Sequence, residues 1–132
     1  MYRDMNYITF HCKYGQMSIH RGCVLHLENP THVQILVNSV TKEVLLKPSS
    51  EYERDAFLVP DAIYERRAAF VINGEDFLRK IRCLMRWRED NAYRVDGTKM
   101  EDSILFPLDK AQALEDWQEE WITSDEEKTD GR

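Results

Sequence analysis

Along the first third of the chain the apolar positions fall in short runs of β-branched and aromatic residues, each cut by a turn signal. Residues 7–12 (YITFHC) read as a strand, Tyr14-Gly15 as a turn, and residues 16–19 as renewed extended chain. Residues 20–27, with Val24, Leu25 and Leu27 apolar, suit a short helix that Asn29-Pro30 stops. Residues 32–37 (HVQILV) form a strong strand pattern, 38–41 a turn, and 43–47 (EVLLK) its antiparallel partner. Pro48-Ser49-Ser50 then breaks the pattern.

The next segment repeats this order on a larger scale. Residues 56–59 read as a short strand closed by Pro60, and Asp61 caps one or two helical turns over 62–67, with Ile63 and Tyr64 facing inward. Residues 69–72 are extended. Asn73 is the expected cap of the clearest helix, 75–87, where Phe77, Leu78, Ile81, Leu84 and Met85 recur at helical spacing and Asp76 sits in the first turn. Residues 93–95 and 103–106 are two further strands separated by a turn at Asp96-Gly97. A last helix is expected over 109–122, with Ala111, Leu114, Trp117 and Trp121 on its apolar side.

The two halves, about 7–50 and 56–108, therefore look duplicated. VNSVTKEVLLKP and VDGTKMEDSILFP share the order strand end, turn, strand, proline. Ile19 lies 29 residues before Pro48 and Ile72 lies 35 before Pro107, the excess falling mainly in the helix. Neither unit can bury a sheet face alone, so the expected fold is one α+β domain of two β-α-β-β-like halves packed together.

Composition adds limits to this picture. The chain has 132 residues, 42% hydrophobic and 32% charged, ordinary for one globular domain. It carries no apolar run long enough for a membrane span, and Met1-Tyr2-Arg3-Asp4 does not open a secretory signal, so a cytoplasmic protein is expected. Residues 111–132 hold eight of the 24 acids and two of the 18 bases, which places the whole net charge of −6 there. Residues 1–110 are balanced. Residues 123–132 read as a disordered acidic tail.

Candidate chemistry is sparse. Cys12, Cys23, His26 and His32 are the best metal-ligating set, but no CxxC pair fixes them and they scatter over two faces, so no metal or other cofactor is expected. Three widely spaced cysteines suit free thiols in a reducing compartment. GxSxG, HExxH, GxGxxG and a phosphate-binding glycine loop are all missing, and His11 and Cys12, adjacent on a strand, point to opposite faces. The sequence predicts no enzyme.

The order Gly15-Gln16-Met17-Ser18-Ile19, short helix, strand, tight turn, strand resembles the repeat of the SpoVT/AbrB swapped-hairpin superfamily. Two such copies, each closed by a proline segment, with Phe106-Pro107-Leu108 leading to Trp117, are similar to the MraZ-like double-repeat layout. The resemblance implies a barrel-like swapped-hairpin fold, a homo-oligomer and a bacterial DNA-binding regulator of transcription. The chain departs from it where basic residues matter. Gln16 stands where an arginine follows the glycine, and Arg67-Ala68-Ala69-Phe70 has no glycine at all.

On the long helix Arg79, Arg82 and Arg86 share an arc of about 60° bordering the apolar face. The stripe could grip phosphates, stand solvated, or receive acids from this chain or a partner. Lys13, Arg21, Arg79, Arg82 and Arg86 are the residues expected to meet double-stranded DNA, with the acidic tail folding back to compete for the stripe. The alternative function is a non-catalytic protein-interaction module that kept the fold and lost the DNA surface.

Overall fold

The computed structural model describes residues 5–66 and 70–114. The expected helical segment 115–122 with Trp117 and Trp121, and the acidic tail 123–132, lie outside the described residues. The rest is an α+β domain with two antiparallel five-stranded sheets and few helices. In chain order the elements are β1 (Tyr7–His11), β2 (Gln16–Ile19), α1 (Arg21–His26), β3 (His32–Asn38), β4 (Glu43–Ser49), β5 (Phe57–Leu58), α2 (Ala62–Arg66) and β6 (Phe70–Asn73). There follow α3 (Glu75–Met85), β7 (Ala92–Asp96), β8 (Thr98–Lys99), β9 (Ile104–Pro107), a 3-10 turn (Leu108–Lys110) and β10 (Gln112–Ala113).

The first sheet has the order β10-β7-β1-β2-β6 and the second β5-β3-β4-β9-β8. These are two separate sheets, which corrects the expected barrel-like closure. The strands β3 and β4 pair as a hairpin from Asn38↔Glu43 outward. The strands expected to match them in the second half do not pair with each other: β7 joins β1 and β10, while β9 joins β4 and β8. Gly97 sits where the chain leaves one sheet for the other. A side chain there would put its Cβ 2.5 Å from Phe106 Cε2 and 2.8 Å from Ile104 Cγ2, so the crossing needs a glycine.

Alternation decides which residues enter the core. Ile8 and Phe10 of β1, Met17 and Ile19 of β2, and Phe70 and Ile72 of β6 point inward from the first sheet. Val33 and Ile35, Val44 and Leu46, and Ile104 and Phe106 point inward from the second, and all belong to one hydrophobic cluster. Cys23 and Val24 of α1, Ile63 of α2, and Leu78 and Ile81 of α3 complete that cluster. Each such aliphatic side chain contributes roughly 1.5–3 kcal/mol by leaving water.

Several expectations are corrected at element ends. The strand β4 runs through Pro48 to Ser49 instead of breaking, because the β9 ladder reaches only Leu46↔Ile104 and the missing N–H of Pro48 faces an open edge. Asn73 closes β6 and accepts from Gln16 Nε2 at 3.1 Å, so Gly74 takes the N-cap position of α3 without a side-chain cap. That helix ends at Met85, with Arg86 in the left-handed region (φ 57°) and Trp87 N bonded back to Arg82 O. The helix expected to start at 109 is instead the 3-10 turn followed by β10. Leu114 N bonds Ala92 O, so pairing with β7 outweighs the helical spacing of Ala111 and Leu114.

Candidate nucleic-acid interface

The turn joining β1 to β2 and the helix α3 form one end of the molecule. Tyr14 N bonds His11 O and Gly15 N bonds Cys12 O, closing a tight turn that leaves Gly15 at φ 65°. Gly74 N, at the start of α3, donates to Gly15 O at 3.1 Å. A Cβ on Gly15 would lie 3.2 Å from Glu75 Cβ, so the glycine also permits this close approach. Lys13 and Tyr14 are thereby held beside the helix, with Lys13 Nζ 5.7 Å from the Tyr14 ring centre and Tyr14 itself 69% exposed.

The arginine stripe on α3 is divided in its partners. Arg79 Nη1 reaches Asp76 Oδ1 at 3.3 Å, an exposed pair of small energetic weight. Arg82 is half-buried beside Cys12: burial raises the thiol pKa, and the Arg82 charge partly offsets that rise. Arg86 is exposed at the C-terminal cap, where its charge also complements the negative end of the helix. Cys12, next to Lys13 in sequence, thus lies within range of the Arg82 charge, and Arg79 and Arg86 share the helix face of Arg82.

Arg21 is placed elsewhere. Its Nε–H donates to Ile63 O at 2.7 Å and its Nη2 to Tyr64 O at 3.4 Å, tying the start of α1 to α2. Tyr64 extends the tie by donating its hydroxyl to Pro30 O at 2.7 Å. The guanidinium thus braces two helices, away from the Lys13 turn.

The outward face of the first sheet carries a polar set that sequence reasoning did not single out. His11 Nε2 and Ser18 Oγ lie 3.1 Å apart, and Gln16 donates to Asn73. Arg94 lies 3.8 Å over the Tyr7 ring and reaches Asp96 Oδ1 at 3.3 Å, while Tyr7 packs on His20 with ring centres 4.5 Å apart. Burial lowers the pKa of both His11 and His20; for His20 the nearby Arg94 and Arg21 charges act in the same direction, and a hydrogen bond involving the Met5 backbone opposes them. The i, i+2 spacing of Tyr7, Thr9 and His11 was the available signal, since alternate strand residues share a face.

The sulfur and imidazole groups weighed as metal ligands have other partners. The Cys23 thiol is buried, 3.7 Å from Tyr7 O, and its pKa is pushed up to about 12 chiefly by desolvation. His26 Nδ1 lies 2.6 Å from Asn6 Oδ1 and His32 Nδ1 3.0 Å from Thr31 Oγ1. Among the described residues no three His, Cys, Asp or Glu side chains converge as a metal site. No helix among them is long and apolar enough to cross a membrane. Comparison of the chain with family models, with curated proteins and with solved structures finds no match in any of the three, so the functional reading rests on its own residues.

Proposed function

We propose that the chain is a non-enzymatic, cytoplasmic DNA-binding regulator of the kind the SpoVT/AbrB resemblance implies. The observation that carries it is the clamp between Gly15 and Gly74, which holds the Lys13 turn against the start of α3, with the Arg82 charge within range of Cys12 in that turn. Lys13, Arg79, Arg82 and Arg86 then form one cationic end suited to phosphate oxygens. Arg21 stands outside this set because its guanidinium is engaged with backbone carbonyls.

The same proposal takes the domain as a duplication, and the ladders joining the halves support it. With Ile19 set on Ile72, Ser18 pairs with its own equivalent Val71, and Met17↔Ile72 and Ile19↔Phe70 exchange equivalents on either side. In the other joining ladder, burial matches Val44 to Ile104 and Leu46 to Phe106, one residue from the alignment that superposes the two prolines. Leu45 then pairs with its own equivalent Leu105. The pairing of β1 with β7 likewise corresponds to that of β5 with β3.

The test is binding of the full chain to random-sequence duplex DNA at about 50 mM and about 200 mM salt. Affinity should fall steeply with salt, and replacing Arg79, Arg82 and Arg86 together by Ala should flatten that slope by roughly 0.9 for each phosphate no longer neutralised. No duplex binding at the lower salt would overturn the reading. A second reading, the protein-interaction module, is favoured by one observation: Leu36, Leu45 and Leu105 lie side by side on the outward face of the second sheet.

A further inference from the structure

The second sheet turns an apolar row away from the core. The ladders place Leu36 of β3 opposite Leu45 of β4, and Leu45 opposite Leu105 of β9, with Thr98 of β8 continuing the row. Burial alternates in each strand so that all three leucines point outward; Leu36 is 40% exposed, and Leu45 and Leu105 are half-buried. Met100, at the turn from β8 to β9, is 48% exposed. On β4 the row is bracketed by two charges, Glu43 two residues before Leu45 and Lys47 two residues after it, each about 7 Å away along the strand. The charges are of opposite sign and equidistant from the apolar line. Their cross-strand neighbours on β3 are uncharged, Gln34 opposite Lys47 and Asn38 opposite Glu43.

This arrangement is complementary to itself. Two copies of one face meet about a two-fold axis lying in the plane of contact. An axis along β4 would set Glu43 on Glu43 and Lys47 on Lys47. An axis across the strands, along the leucine row, sets each leucine on its own copy and each Glu43 on Lys47 of the other chain. Only the second avoids like charges. The edges of this sheet offer little competition, since β5 and β8 are two residues long.

We propose that a second copy of this chain covers the outward face of the second sheet, about a two-fold axis running along the Leu36–Leu45–Leu105 row, with Glu43 of each copy against Lys47 of the other. The interface has an apolar centre and a charged rim, the usual anatomy of a specific contact. It is independent of DNA binding, because the cationic end is built on the turn from β1 to β2 and on α3.

Sedimentation of the full chain over a range of concentrations tests this. A dimer is expected, and Leu45→Glu should give a monomer whose far- and near-UV circular dichroism match the parent. Glu43→Lys and Lys47→Glu should each weaken the dimer roughly tenfold, and the double exchange should restore it to within about threefold, since the pair is recreated with signs reversed. A monomer at every concentration overturns the proposal, as does a dimer that Leu45→Glu leaves intact or one that the double exchange does not rescue. If the chain is monomeric and binds a hydrophobic dye only after Trp117→Ala and Trp121→Ala, the face belongs to its own C-terminal segment. If the unaltered monomer already binds the dye, the face awaits a different protein.

Discussion

At the scale of single residues, Gly97 and Cys23 show how tightly the core constrains chemistry. Gly97→Ala forces its new methyl into the ring of Phe106, a side chain with no exposure, so either the ring or the β7–β8 connection must move. Overpacking of this kind costs typically about 1–3 kcal/mol, to be read as a lower urea midpoint at unchanged slope. Cys23 predicts a pH effect. Its thiol is held protonated in the folded chain to about pH 12, whereas the unfolded thiol ionises near 9. Between those values the unfolded state binds fewer protons, so the stability this group contributes is fully present below pH 9 and is lost as pH rises. The slope approaches about 1.4 kcal/mol per unit for one group. Comparison of wild type with Cys23→Ala between pH 8 and 10.5 should show a shallower alkaline loss in the variant. Equal losses would mean that the thiol does not titrate differently on unfolding.

At the scale of elements, the ends of α1, α2 and α3 separate structural arginines from available ones. Arg21 satisfies two carbonyls of α2, so Arg21→Ala should lose roughly 1–2 kcal/mol in a urea melt while leaving the salt slope of DNA binding unchanged. Arg86 behaves oppositely. Its φ of 57° favours glycine, so Arg86→Gly should raise stability by roughly 0.5–1 kcal/mol and at the same time weaken DNA binding. A variant that is more stable yet binds DNA unchanged would remove Arg86 from the interface. The inward strand positions and the buried face of α3 were legible in the sequence, because periods of two and of about 3.6 are written directly into residue order. Element ends were less so. Asn73 looks like a cap, but its amide oxygen is taken by Gln16, a partner 57 residues away. Ala111 and Leu114 fit a helical spacing, yet the free edge of β7 drew that segment into a strand. The candidate cations were visible as a list. That Arg21 is committed to α2 while the Arg82 charge reaches Cys12 in the Lys13 turn depends on long-range packing that no local pattern encodes.

At the scale of the whole molecule, the joining ladders make each half depend on the other. The inward residues Met17 and Ile19 lie beside Ile72 and Phe70 across one seam, and Val44 and Leu46 beside Phe106 and Ile104 across the other. Severing the chain in the exposed 51–55 segment keeps every element intact but leaves both seams, together with the β1–β7 and β3–β5 ladders, to be formed between two polypeptides. A fragment of residues 1–54 alone would hold the hairpins β1–β2 and β3–β4 with their inward faces uncovered, too little for a stable sheet core. The expected outcome is that 1–54 and 55–132 each lack a cooperative thermal transition, while an equimolar mixture regains one together with near-UV circular dichroism. The proposed duplication adds a sharper expectation for the first fragment. If the seams are built on equivalent positions, copies of 1–54 can pair β2 with β2 about Ser18 and β4 with β4 about Leu45, giving a weak homodimer at high concentration. A fragment that folds cooperatively as a monomer would show that the halves do not need each other. One that stays unfolded at all concentrations, while the mixture still folds, would show that the halves cannot exchange places.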